Sequence, residues 1–217
     1  MKVLALDTAT AACSVAVRRD GTLIGHRFVA MRRGHAEALM PMVAAVMDEA
    51  GLAFRALDLV ATTVGPGTFT GLRVGLAAAR AIGLAAAKPV AGVGTLEAIA
   101  HAHGPPDRGV LAAVLAARRG EVYLQIFDHT LAPLGPPAVL APEAAVLPGS
   151  VIAVGDGAGA LRAAHPGVVL GEAPPLPDAA TVAALAAARA ARDGLPDRPP
   201  HPLYVRPPGA RPPKPGR

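Results

Sequence analysis

Gly65 to Gly71, reading GPGTFTG and running on as LRVGLAAARAIGLAAA, constrains the fold more than any other stretch of the chain. Two glycines around a proline impose a tight turn, because glycine takes backbone angles closed to other residues and proline fixes φ. The apolar run Leu59-Val60-Ala61-Thr62-Thr63-Val64 leads in as a strand, and a small-residue helix leads out. Thr68 and Thr70 can both accept from the free amides of the first helical turn, and Thr70 is the better placed cap. Gly71, Gly75, Ala79 and Gly83 recur at a constant spacing of four, which lays a nearly bare stripe along one helix face. A glycine inside a helix costs about 1 kcal/mol relative to alanine, so the repetition asks for another backbone at very close range. The residues leave two readings open. The stripe packs on the protein's own sheet, or it docks a helix of a second subunit.

As a phosphate loop the turn fails on residue type. A Walker loop needs a Gly-Lys pair before its Ser or Thr, and there is no lysine here; the dinucleotide fingerprint G-x-G-x-x-G is one residue shorter. The turn is therefore structural, with weak anion binding at the helix start as a minor alternative.

The 217 residues suffice for one large domain or two small lobes, and 52% hydrophobic against 17% charged residues gives a chain able to bury a core. Aromatics at 3% and the lack of Trp argue against a base-stacking platform. The net charge of +5 is partly due to Arg206, Arg211, Lys214 and Arg217 in the tail. A lone Cys13 excludes an intrachain disulfide and a cysteine metal site. MKVLALD has too short an apolar run for a signal peptide, and Arg73 and Arg80 interrupt the region nearest to a membrane span. The expected location is the cytoplasm, with no membrane contact.

Three strands are expected first: Lys2–Leu6 ending at Asp7, Cys13–Val17, and Leu23–Val29, the last two joined by the hairpin signal Asp20-Gly21. A helix over 35–50 follows, closed by Gly51, then a strand over 57–64, the central turn with its helix over 71–86, a strand over 89–93 and a helix over 95–103 capped by Thr95. Gly104-Pro105-Pro106 marks a boundary. Strands over 110–116 and 122–127 flank Ala117-Arg118-Arg119-Gly120-Glu121; a strand over 151–154 runs into Gly155-Asp156-Gly157-Ala158-Gly159; and a regular helix spans 181–192. The expected division is an N-terminal lobe over 1–104, a smaller C-terminal lobe over 105–195 whose last helix returns to the first lobe, and a Pro-rich tail over 196–217, with 202–206 docked.

The order βββαβαβα resembles one lobe of the actin-like ATPase, sugar-kinase and Hsp70 superfamily, a ribonuclease-H-like unit, which implies a two-lobed α/β fold. In that superfamily an acidic residue at the tip of the first strand faces nucleotide phosphates, and Asp7, Thr8 and Thr10 stand there. Ala9 occupies the usual glycine position, which weakens nucleotide binding. Gly155, Asp156 and Gly157 resemble the second nucleotide loop, so the pair implies a vestigial cleft. His35 with Glu37, and His101 with His103, are spaced so that each pair points apart on a helix, and no H-E-x-x-H or G-x-S-x-G exists.

The combined pattern resembles the bacterial TsaB (YeaZ) family. The resemblance lies in LALDTATAACSVAV from Leu4, RGHAEALMP from Arg33, VGPGTFTGLRVGLAAARAIGLA from Val64, VAGVGTLEAIA from Val90, AARRGEVY from Ala116, VGDGA from Val154 and PLYVR from Pro202. It implies a non-catalytic paralogue of the TsaD subunit, with no catalytic residue, metal or cofactor of its own. Its implied role is as a scaffold in the complex that transfers threonylcarbamoyl from threonylcarbamoyl-AMP to N6 of adenosine 37 in ANN-decoding tRNAs. Implied partners are a TsaD-like catalytic subunit, a TsaE-like ATPase, a second copy when alone, and tRNA through the complex. TsaD holds its metal partly through two histidines four apart; Thr95 and Ile99 stand at those positions, and neither replaces an imidazole. The family pairs through N-lobe helices, which favours the interface reading of the stripe, with Met40, Met47, Gly71, Leu72, Gly75, Leu76, Ala79 and Gly83 as the expected contacts. On that reading a bulky residue at Gly75 abolishes pairing and leaves the lobe folded. The competing class is an ATP-dependent phosphotransferase or a peptidase using the cleft, and a third reading has the basic tail bind tRNA directly.

Overall fold

The computed structural model describes residues 1–205. Asp20 and Gly21 both take positive φ, 51° and 84°, the hairpin geometry whose twist matches the strands it joins. They connect β2 (Ala12–Arg19) to β3 (Thr22–Ala30), and β2 pairs antiparallel with β1 (Lys2–Asp7). After α1 (His35–Glu49) the chain enters β4 (Leu59–Gly65), which lies parallel to β1, and after α2 (Phe69–Ala86) it adds β5 (Val90–Gly94) parallel to β4. The sheet order is β3-β2-β1-β4-β5. α3 (Thr95–His103) then leads to the second sheet.

That sheet, ordered β10-β9-β6-β7-β8, contains β6 (Val110–Ala116), β7 (Val122–Phe127), β8 (Ala138–Leu140), β9 (Val151–Val154) and β10 (Val169–Leu170). It repeats the plan of the first, with β6 antiparallel to β7 and parallel to β9. α4 (Ala158–Ala164) packs on it. α5 (Ala179–Asp193) returns to the first sheet and contacts β1, β2, β4 and β5. The fold is the expected two-sheet α/β architecture, and β6 and β7 have the bounds read from their apolar runs.

Alternation along β1 divides the first core. Leu4 and Leu6 point to α1 and α2, meeting Leu39, Val43, Met47 and Ala79. Val3 and Ala5 point to α5, meeting Val182, Ala183 and Ala186. Leu96 and Ile99 of α3 are fully buried with Leu111, Leu115 and Phe127 of the second sheet.

The structure corrects the interface assignment. Among the eight expected contacts only Met40 is exposed; Met47, Gly71, Leu72, Gly75, Leu76, Ala79 and Gly83 are buried within the chain itself. A Cβ at Gly71 would fall on the Thr8 carbonyl oxygen, and one at Gly75 would lie 2.7 Å from the Thr8 hydroxyl and 3.1 Å from that of Thr62. A Cβ at Gly83 would meet the Val90 side chain, with the Lys88 carbonyl oxygen at 2.9 Å. The bare stripe is thus filled by the protein's own sheet. Two caps also differ. Thr68, not Thr70, caps α2, accepting from the Gly71 amide at 3.2 Å, because the helix already begins at Phe69. Gly94 precedes α3, and Thr95 lies inside it.

Gly75→Leu should therefore unfold the first lobe rather than spare it. Gly71→Ala should lower stability by about 2 kcal/mol or more, since backbone cannot yield to a methyl group cheaply. Gly159→Ala, with open space at its Cβ position, should be neutral or stabilising by about 0.5 kcal/mol. Denaturant unfolding of the three variants checks the order.

Candidate functional site

Asp7 ends β1 fully buried. Its Oδ1 accepts from the Thr63 hydroxyl at 2.6 Å and from the Ala9 amide at 3.2 Å, while Oδ2 is buried without a partner among the described residues. Burial pushes its carboxyl up to about 7; the two hydrogen bonds oppose this and the charge of Asp178 adds to it. Thr8 is turned away into the α2 contact, donating to the Gly71 carbonyl at 2.7 Å. Thr10 is also buried, and its carbonyl meets the His35 ring at 2.9 Å.

At the second expected nucleotide loop Gly155 is half-buried, Asp156 exposed and Gly157 buried. A Cβ at Gly155 would fall on the Val114 carbonyl oxygen, and one at Gly157 would lie 2.9 Å from the Ala116 nitrogen. Asp156 accepts from the Ala116 amide at 2.8 Å, and burial raises its carboxyl against that bond. These glycines let the turn pack on β6.

The larger hollow lies elsewhere. A cavity of about 640 Å³ opens between the ends of β4 and β5, α3, the 130–137 loop and α5. Its charged wall is already paired: Arg189 bonds Glu97 and donates to the Gly92 carbonyl at 3.0 Å. His101 stands on the same wall, its ring held below the ordinary value by burial. Among the described residues no group of three His, Cys, Asp or Glu could hold a metal.

The face of α2 opposite the stripe is the surface that stands out. Thr70, Ala77, Ala81 and Leu84 are exposed along it, Leu84 at 86%. Val74 and Ala78 pack towards the core shared with α1, so α1 flanks this ridge. On α1, Met40, 48% exposed, and Ala44 also face outward. Sequence reasoning passed over Ala77, Ala81 and Leu84 because it followed the glycines. The signal was present, since at 3.6 residues per turn these positions lie opposite Gly75 and Ala79.

The chain ends its described course as a strap. The Leu203 amide donates to the Val64 carbonyl at 2.7 Å, Arg80 donates to the Pro200 carbonyl, and Tyr204 stacks on Phe69 at the head of α2, with ring centroids 5.8 Å apart. The expected docking of 202–206 is thus met at Leu203 and Tyr204. Arg206 and the remaining tail, with its expected contact to tRNA, lie outside the described residues.

Comparison with known proteins places these features. Residues 29–165 match the family model described as TsaD, tRNA N6-adenosine threonylcarbamoyltransferase. The tRNA threonylcarbamoyladenosine biosynthesis protein TsaB of Escherichia coli is 41% identical over 125 residues, covering 57% of this chain and 53% of that protein. YeaZ of Pseudomonas aeruginosa superposes with a TM-score of 0.82 at 32% identity, over 94% of this chain and 99% of that one. The (R)-2-hydroxyglutaryl-CoA dehydratase component A of Acidaminococcus fermentans shares the fold alone, with a TM-score of 0.54 at 10% identity over 88% and 99% of the two chains.

The buried carboxyl of Asp7 makes a prediction about pH. Its folded value of about 7 exceeds the ordinary 3.8, so its contribution is fully present below the unfolded value and is lost as the pH rises through the folded one. Asp7→Asn keeps an acceptor for Thr63 and removes the charge. The melting temperature of the variant minus that of the wild type should grow from pH 5 to pH 8, and parallel curves would contradict the assignment.

Proposed function

Since the chain belongs to the TsaB (YeaZ) family, we propose that it acts in tRNA threonylcarbamoyladenosine biosynthesis as the non-catalytic scaffold of the transferring complex. It pairs with a TsaD-like catalytic subunit, joins a TsaE-like ATPase, and forms a homodimer when alone. Threonylcarbamoyl passes from threonylcarbamoyl-AMP to N6 of adenosine 37 of tRNA on the partner, in the cytoplasm. This chain meets tRNA through the complex and works without a cofactor.

One observation carries the pairing: two adjacent helices of the first lobe turn a bare face outward, with Met40 and Ala44 on α1 and Ala77, Ala81 and Leu84 on α2. Exposed apolar side chains on two helices that touch each other are characteristic of an interaction site, and alanines let a partner helix approach closely. The scaffold role draws support from α3. Thr95 and Ile99 are fully buried, Ile99 among Leu96, Leu111 and Phe127, and neither side chain is an imidazole. The full burial of Asp7 supports the same assignment, since a carboxylate that faces a bound nucleotide must be reachable from the surface.

Co-purification with the TsaD-like paralogue, followed by a tRNA modification assay with and without this chain, tests the proposal. Pairing and strongly increased modification are expected. Leu84→Asp should keep the wild-type melting temperature and weaken pairing by about 10-fold or more, a loss typical of a charge forced into an apolar contact. A chain that never pairs, or that modifies tRNA unaided, would overturn the reading.

A further inference from the structure

Phe69, Arg73 and Tyr204 form a surface cluster that the pairing surface does not itself explain. Arg73 lies with its Cζ 3.7 Å from the centre of the Phe69 ring and donates from Nε to the Tyr204 hydroxyl at 3.3 Å. The Tyr204 ring stacks on Phe69 at an interplanar angle of 30°. All three remain exposed, Phe69 at 49% and Tyr204 at 37%. The chain has only 4 Phe and 2 Tyr, so placing two of them together on the surface is a considerable outlay of aromatic area away from the core.

The cluster stands beside the bare ridge. At about 100° per residue, Phe69, Arg73 and Arg80 fall on the flank of α2 away from α1, and Thr70, Ala77 and Leu84 fall between the two flanks. The ridge therefore has α1 on one side and the strap on the other. The strap is held from behind by the Leu203 amide on Val64 and by Arg80 on Pro200, which fixes Tyr204 before any partner arrives. Exposed Tyr and Arg at the edge of an apolar surface have the composition of an interface hot spot, and the contacts they already make with Phe69 and with each other reduce the entropy lost on binding.

We infer that Phe69, Arg73 and Tyr204 are a partner-recognition hot spot, reading an apolar side chain next to a carboxylate on the TsaD-like subunit. The inference rests on the pairing reading above. The carboxylate follows from Arg73, whose guanidinium has no ion-pair partner among the described residues. A protein partner is favoured over RNA because the cluster borders the exposed apolar residues Ala77, Ala81 and Leu84, which a phosphate backbone does not complement.

The test is calorimetric titration of the full chain with the TsaD-like paralogue. Tyr204→Ala should weaken pairing by about 30-fold, the loss that defines a hot spot, and Tyr204→Phe should stay within about 3-fold, because the ring carries the contact. Arg73→Glu, altering an exposed side chain, should weaken it by about 10-fold or more with an unchanged melting temperature, and it decides the matter if Tyr204→Ala unfolds. Wild-type pairing with both Tyr204→Ala and Arg73→Glu within about 2-fold overturns the inference alone. Absence of wild-type pairing sinks the reading beneath it as well. Loss confined to self-association, or to binding of tRNA, contradicts the choice of partner.

Discussion

The structure depends on how closely α2 lies on its own sheet. Gly71 and Gly75 come so near Thr8 that a single methyl group has no place between them. Thr8 exploits this by bonding across to the Gly71 carbonyl, while the Thr68 amide bonds the Ala9 carbonyl at 2.7 Å. These bonds tie the loop after β1 to the turn before α2. The helix-interior glycines, unfavourable in isolation, are offset by this contact and by the core that forms beneath it.

The same contact decides which surface is left for function. With the glycine face turned inward, α2 shows Ala77, Ala81 and Leu84 to the outside. With the loop after β1 pulled onto α2, Asp7 is sealed below the surface and its charge becomes unfavourable. The packing of α2 and the burial of Asp7 thus go with one close approach. Asp7 is left as a buried group bonded to Thr63.

Much of this was legible in the residues. Asp20-Gly21 announced its hairpin, and the runs over 110–116 and 122–127 marked their strands because both ends carry turn residues. The TsaB resemblance was readable because its motifs are spread through the chain in order. The orientation of α2 was not readable. A period of four reveals that one face is bare, and it is silent on whether a sheet or another subunit covers it. Thr68 and Thr70 are equal as cap chemistry, and only the onset of the helix at Phe69 separates them. The pairing of Arg73 with Tyr204 joins positions 131 apart in the chain, and no local pattern records such a meeting.

The central claim is that α2 holds its own sheet with one face and its partner with the other. Maleimide labelling of single cysteines placed at Ala79 and at Ala81, against the buried native Cys13, reports on both faces in one measurement. The account predicts that the cysteine at 79 stays unreactive throughout, while the one at 81 reacts in the isolated chain and becomes protected when the TsaD-like subunit binds. A reactive cysteine at 79, or equal labelling at 81 with and without the bound partner, would contradict it.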